Sequence, residues 1–208
     1  MTTWQQAVVA AVVGYLLGSI PTGMIVARVY RNVDLTAHGS GRTGATNVLR
    51  TLGRGAAAIA FAGDFLKGLL AILVVRYMIA DGTARLPWLE LIAAITVILG
   101  HSYSFFIGFK GGRGVVTGFG ATIVAAPLPI LIALVVGATL IAVTRYVSLG
   151  SIVGSALAGL LLCWQAAAER EPAWAVWGVL VGGFIVVAHR DNIERLLAGT
   201  ERKLGERV

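Results

Sequence analysis

The run GVVTGFGATIVAAPLPILIALVVGATLIAVT, from Gly114 to Thr144, contains no charged residue. A bilayer crossing takes about 20 apolar residues, with a range of about 17–25, so this run is too long for one helix and short for two full ones. Pro127 and Pro129 lie near its middle. Proline lacks a backbone N–H and its ring clashes with the preceding turn, so the pair predicts a break. The run therefore reads as a short helix over 114–126 and a second over 127–144. Working outward, apolar stretches at 4–27, 55–79, 86–109, 148–168 and 172–188 also qualify. The expectation is an all-α polytopic membrane protein with seven transmembrane helices, forming a single domain over residues 1–208.

Composition agrees: the chain is 57% hydrophobic and 13% charged, against about 45–50% and about 25% in soluble domains. It excludes a disordered tail, a disulfide scaffold and an ordinary soluble enzyme. The single cysteine, Cys163, lies in an apolar run and reads as packing. The net charge of +7 could suit nucleic acid, anionic lipid or small anions. No long basic soluble patch is present, so nucleic acid is not an expected partner. Of the 17 Lys and Arg, all but Arg76, Arg85, Arg170 and the intrahelical Lys67 fall in loops on one side. The positive-inside rule places that side in the cytoplasm, with the N-terminus outside and the C-terminus cytoplasmic.

The cytoplasmic loops carry the chemistry. His38-Gly-Ser-Gly-Arg-Thr-Gly-Ala-Thr-Asn-Val-Leu-Arg50 fits G-x-G-x-x-G at Gly39, Gly41 and Gly44. That pattern marks a dinucleotide site only after a strand and within a soluble βαβ unit, and here a membrane helix precedes it. What survives is an anion site. Glycines let backbone N–H groups approach a phosphate, while Ser40, Thr46, Asn47 and Arg50 add donors. A plain Gly/Ser linker would not gather these. The next loop, with Lys110-Gly-Gly-Arg-Gly114 at a helix start, again suits phosphate: two cations, accessible backbone and a helix N-terminus. His101, just before it, reads as a hydrogen-bonded structural residue or a ligand. Asp64 and Lys67 are three apart within a membrane helix. Opposite charges at that spacing reduce the cost of burial, and the pair serves either structure or substrate. At the last membrane exit, His189 and Asn192 share one helical face. An amphipathic tail would account for the neighbouring Arg and Leu residues but not for this pair.

Three stretches together, Gly39–Arg50, Gly100–Thr117 and His189–Glu201, resemble the bacterial acyl-phosphate:glycerol-3-phosphate acyltransferases, the PlsY family. Gly63-Asp-Phe-Leu-Lys-Gly68 and Gly18-Ser-Ile-Pro-Thr-Gly23 are similar too. The resemblance implies transfer of a fatty acyl group from acyl phosphate to glycerol 3-phosphate, releasing inorganic phosphate, at the cytoplasmic face of the bacterial inner membrane. It implies catalytic roles for His189, Asn192 and Ser40. It implies substrate and phosphate contacts for Ser40, Gly41, Thr46, Asn47, Arg50, His101, Lys110, Gly111, Gly112, Arg113, His189 and Asn192. Asp64, Lys67 and Glu201 would be structural or supporting. The chain departs from the family at Arg42-Thr43, where Asn-Pro is usual, and at Gly-Gly-Arg-Gly, where Gly-Gly-Lys-Gly is common. Both changes keep or add positive charge.

No nucleophile paired with a base stands out, and His-x4-Asp is absent, because Thr43, Phe106 and Glu194 follow the three histidines at that spacing. Acyl phosphate is already activated, so alignment and charge neutralisation would suffice. The donor phosphate or His189 would take the hydroxyl proton. No cofactor, metal or obligate protein partner is expected; the partners are the two substrates and the bilayer. The rival reading is a transporter for phosphate or organophosphate. It would need polar residues on both faces, and the outer loops offer few.

Overall fold

The computed structural model describes residues 1–79 and 86–206, so Arg85 and Arg207 of the charge count lie outside the described residues. The described chain is helical. Its helices are α1 (Thr3–Ser19), α2 (Thr22–Arg31), α3 (Ala45–Leu52), α4 (Arg54–Val74), α5 (Leu86–Ser102), α6 (Val115–Ala125), α7 (Pro127–Thr144), α8 (Val147–Glu169), α9 (Pro172–Trp177), α10 (Gly183–Ala188) and α11 (Arg190–Leu197). They pack as two compact units, Met1–Ala125 and the segment from Ala126 onward. The division falls at the proline pair, where α6 ends at Ala125, Ala126 caps α7 and Pro127 takes its first position, in the first turn where a missing N–H costs nothing.

Among the described residues, five helices are long and apolar enough to cross a membrane: 3–31, with its internal break, 54–79, 86–107, 127–144 and 147–169. A sixth is reached if Pro172–Ala188 and Arg190–Leu197, bent by 56°, count as one. The 11 residues of α6 fall below that length, so the seven expected crossings reduce to five or six by this measure. The 4–27 stretch, expected as one membrane helix, is interrupted within that span. Pro21 breaks it, and α2 starts afresh at Thr22. Such a break in a membrane helix strands carbonyl groups that must find partners inside the protein. Ile20 O accepts from Lys67 Nζ (3.0 Å) and Ser19 O from Ser104 Oγ.

In the first unit, α1 packs on α5 and α4 on α6. Small residues make the approach possible. A Cβ on Gly18 would overlap the Val97 backbone, and one on Gly68 or Gly120 would overlap the backbone of Thr117 or Phe65. In a bilayer, where no hydrophobic effect drives helices together, such close backbone packing is a main source of association. Arg76, counted from sequence with the outer-side charges and within the 55–79 stretch, lies in the π-helical turn that extends α4 over Val75–Ile79. It donates to Glu90 Oε1 of α5 (2.6 Å) and to Val124 O of α6 (3.2 Å), tying three helices. In the second unit, α7 and α8 meet through Gly137, Gly150 and Gly154, and α8 meets the turn Gly178–Gly182 through Gly159 and Gly178. Cys163 is half-buried against Ala175 O.

Candidate functional site

The segment between α2 and α4 is folded rather than linker-like. Leu35 and Val48 are fully buried against Met24, Ala27 and Ala60. The helix α3, read as loop from sequence, follows an extended Gly44 and ends at Gly53, where φ is +88°. Asn47 on α3 organises what precedes it. Its Nδ2 donates to Arg42 O (2.8 Å), His38 O (3.0 Å) and Leu35 O (3.2 Å), and its Oδ1 accepts from Ser40 N–H (3.0 Å). Asn47, which the resemblance sets beside phosphate, commits its amide to the loop's own backbone and so shapes the loop. Gly39 has φ +60°, and a Cβ there would strike Asn47 Oδ1. Only glycine meets both conditions. Ser40 is exposed on this frame, and Gly41, Thr46 and Arg50 are half-buried.

The second loop lies on His101. Gly112 N–H donates to His101 O (3.2 Å). A Cβ on Gly112 would overlap the imidazole Nε2, and one on Gly111 would overlap His101 O. Gly112 was expected to offer its amide to substrate; the amide is instead spent inward, and the residue supplies close approach. His101, expected among the substrate contacts, is buried beneath the loop at 6% exposure. Its Nδ1 lies 3.3 Å from Asp64 Oδ1. That same oxygen is 2.9 Å from Lys67 Nζ and accepts from Thr22 Oγ1 (2.5 Å). Asp64 and Lys67 are almost wholly buried, so the i,i+3 pair is one edge of a four-residue cluster. Lys110 is exposed and Arg113 half-buried at the loop.

The third motif belongs to the second unit. His189 is buried where α10 bends into α11. Its Nδ1 lies 2.7 Å from Ile185 O. A carbonyl oxygen can only accept, so Nδ1 carries the proton and Nε2 of the neutral ring is an acceptor. Asn192 Nδ2 donates to Glu201 Oε1 (2.7 Å), which also accepts from Ser148 Oγ (2.8 Å). Arg195 Nε donates to Glu201 Oε2 (2.7 Å). Burial opposes ionisation of Glu201, but the bonds from Arg195, Ser148 and Asn192, with the Arg195 charge, outweigh it and hold the carboxyl below its ordinary range. Asn192 Oδ1 is buried and has no hydrogen-bond partner among the described residues, a costly arrangement unless a ligand supplies a donor. The following tail is fastened to the α7–α8 turn: Leu204 N–H donates to Arg145 O (2.7 Å), Arg145 Nη2 donates to Leu204 O (2.7 Å), and Lys203 sits over the Tyr146 ring.

The structure thus gathers the first two motifs, Asp64 and Lys67 in one unit, and His189, Asn192 and Glu201 in the other. Thr22 and Ser148 were missed as supporting residues. They reach Asp64 and Glu201 across 42 and 53 positions of sequence, a separation no spacing rule detects. Thr22 does lie in the 18–23 stretch that carries part of the family likeness.

A family model described as glycerol-3-phosphate acyltransferase matches residues 8–199. Glycerol-3-phosphate acyltransferases of Thermoanaerobacter sp. (strain X514) and Geobacter sulfurreducens are 42% and 44% identical to this chain. The first alignment covers 97% of this chain and 98% of the relative, the second 92% and 94%. Among solved structures, the chain is similar to PlsY, an integral membrane glycerol 3-phosphate acyltransferase, in its glycerol 3-phosphate form. The TM-score is 0.85 at 36% identity, covering 96% of each chain. The lysophosphatidic acid form of PlsY matches with a TM-score of 0.83, covering 96% of this chain and 95% of that one.

Proposed function

The chain belongs to the glycerol-3-phosphate acyltransferase family and acylates glycerol 3-phosphate; from this premise we propose that its acyl donor is acyl phosphate. The glycerol 3-phosphate hydroxyl oxygen attacks the acyl carbonyl carbon. The carbon–oxygen bond to the donor phosphate breaks, inorganic phosphate leaves, and 1-acyl-glycerol 3-phosphate forms. The hydroxyl proton passes to a phosphate oxygen of the donor. His189 orients the hydroxyl through Nε2, and Asn192 Oδ1 accepts from the glycerol. Ser40, Gly41, Thr46 and Arg50 on the first loop, and Lys110, Gly111 and Arg113 on the second, hold the phosphate groups and neutralise their charge. Catalysis of this kind rests on alignment and electrostatic stabilisation.

The observation that carries the donor assignment is the build of the two loops. Each is compact, glycine-shaped and flanked by cations, with its backbone held by Asn47 in one case and His101 in the other. That is the scale of a phosphate group, not of a nucleotide or a carrier protein, whose docking would bury several hundred Å² per partner. The apolar part of the donor can remain in the bilayer. On the family resemblance the enzyme works in the bacterial inner membrane; the distribution of Lys and Arg supports an outer N-terminus, a cytoplasmic C-terminus and active site, and α6 as a short seventh crossing.

The deciding experiment mixes purified protein with palmitoyl phosphate and glycerol 3-phosphate and follows phosphate release and lysophosphatidic acid formation, beside the same assay with acyl-CoA. Turnover with acyl phosphate alone is expected. Acyl-CoA turnover at a comparable rate would overturn the donor assignment.

A further inference from the structure

Two features of the first unit lie outside the substrate contacts just assigned: the break at Pro21, and the buried cluster on Asp64. Thr22, the first residue after the break, and His101, at the end of α5, meet on one oxygen of Asp64. Lys67 balances that carboxylate and also holds Ile20 O at the break. Each arm continues to a glycine loop. Beside Thr22, Gly23 lies so close to the first loop that a Cβ would overlap Thr43 O, and Thr43 is buried. On the other arm, His101 is the bed on which Gly111 and Gly112 rest. A buried charge in a membrane helix is expensive and is retained where it serves a purpose. Three polar groups converging on one carboxylate oxygen and ending at two loops exceed what helix association alone requires.

We propose that Asp64, with Thr22, Lys67 and His101 gathered on it, is a positioning hub that fixes the first glycine loop relative to the second, and so sets the spacing of the phosphate-binding groups. This rests on the reading that the loops bind phosphate. None of the four touches substrate. Thr22 and His101 act through the backbones of Thr43 and of Gly111–Gly112. The Asp64 carboxylate fixes the imidazole plane by its contact with Nδ1, and the plane in turn sets the height of the second loop.

The test measures inorganic phosphate binding to the full-length protein in detergent by calorimetry, with acylation kinetics and melting temperature taken on the same samples. His101→Asn retains a side-chain donor near the position of Nδ1, and His101→Leu removes it. For His101→Leu, phosphate affinity of the folded protein is expected to fall roughly 10-fold or more, the scale of a lost hydrogen bond to a charged group, with the melting temperature also lower because buried Asp64 loses a partner. His101→Asn should regain most of that affinity. If His101→Leu does not fold, Gly112→Ala carries the test from the loop side. It should weaken phosphate binding by driving a methyl into the imidazole, and the smaller side chain of the Gly112→Ala/His101→Asn double variant should restore it. Wild-type affinity in His101→Leu, or no recovery in the double variant, would overturn the hub alone. Failure of the unmodified protein to bind phosphate would overturn the loop reading and the hub with it.

Discussion

The side-chain amide of Asn192 donates to Glu201 at 2.7 Å and thereby turns its own oxygen into a buried site that no donor among the described residues fills. The bond fixes which way round the amide lies. Asn192→Ala should therefore raise the KM for glycerol 3-phosphate more than that for the acyl donor, with a loss in kcat/KM of roughly 2–12-fold if a neutral hydrogen bond of about 0.5–1.5 kcal/mol is at stake. Asn192→Asp should be worse, since it places a second carboxylate against Glu201. Steady-state kinetics with each substrate varied in turn decides the matter, and an unchanged KM for glycerol 3-phosphate would remove Asn192 from the site.

Glu201 also sets a pH limit. Its folded-state value lies below the ordinary 4.5, so at intermediate pH the unfolded chain binds more protons than the folded one. Stability from this carboxylate is then fully present above about 4.5 and is lost as the pH falls through the lower folded value. Melting temperatures of the purified protein and of Glu201→Gln should differ at neutral pH, with the native protein higher. The gap should close only under acid conditions. A gap that persists unchanged into strong acid would contradict the ionised network with Arg195, Ser148 and Asn192.

The first loop should respond to loss of its organiser as strongly as to loss of a cation. Asn47→Ala deletes four hydrogen bonds to the backbone around it, and Gly39→Ala forces a Cβ onto a left-handed residue and into Asn47. Holding an L-residue at positive φ costs about 1–2 kcal/mol before any clash. Both variants should lose most activity, and inorganic phosphate should inhibit what remains more weakly. If Asn47→Ala kept native kinetics, the loop would not need the shape seen here.

Lys110 is exposed beside the second loop, so Lys110→Ala should leave the fold intact. Loss of one charge-assisted bond of about 1.5–3 kcal/mol predicts a roughly 10–150-fold lower kcat/KM. The contrasting variant is Arg76→Leu, at the Glu90 pair. Breaking a buried ion pair on one side costs about 3–5 kcal/mol because the remaining charge is uncompensated. Thermal unfolding should show that loss, while activity per folded molecule holds.

Much of this protein could be read without coordinates because bilayer and phosphate chemistry act locally on sequence. Hydrocarbon demands long apolar runs, so the helices over 54–79, 127–144 and 147–169 were evident from composition. Two prolines were enough to split 114–144, since a missing N–H is a local property. Glycines beside Arg and Lys marked the loops for the same reason. What tertiary structure decided is where each polar group spends its hydrogen bonds. The sequence could not tell that Pro21 breaks the first helix tolerably, because the carbonyls it strands are met by Lys67 and Ser104 from distant segments. Nor could it tell that the Asn47 amide and Gly112 N–H are spent on the loops' own backbone, which of its two roles His101 takes, or that Arg76 bridges helices. Inside a membrane protein no water completes a half-made set of bonds, so a polar residue's role follows from which partners the fold brings to it, and those partners lie tens of residues away.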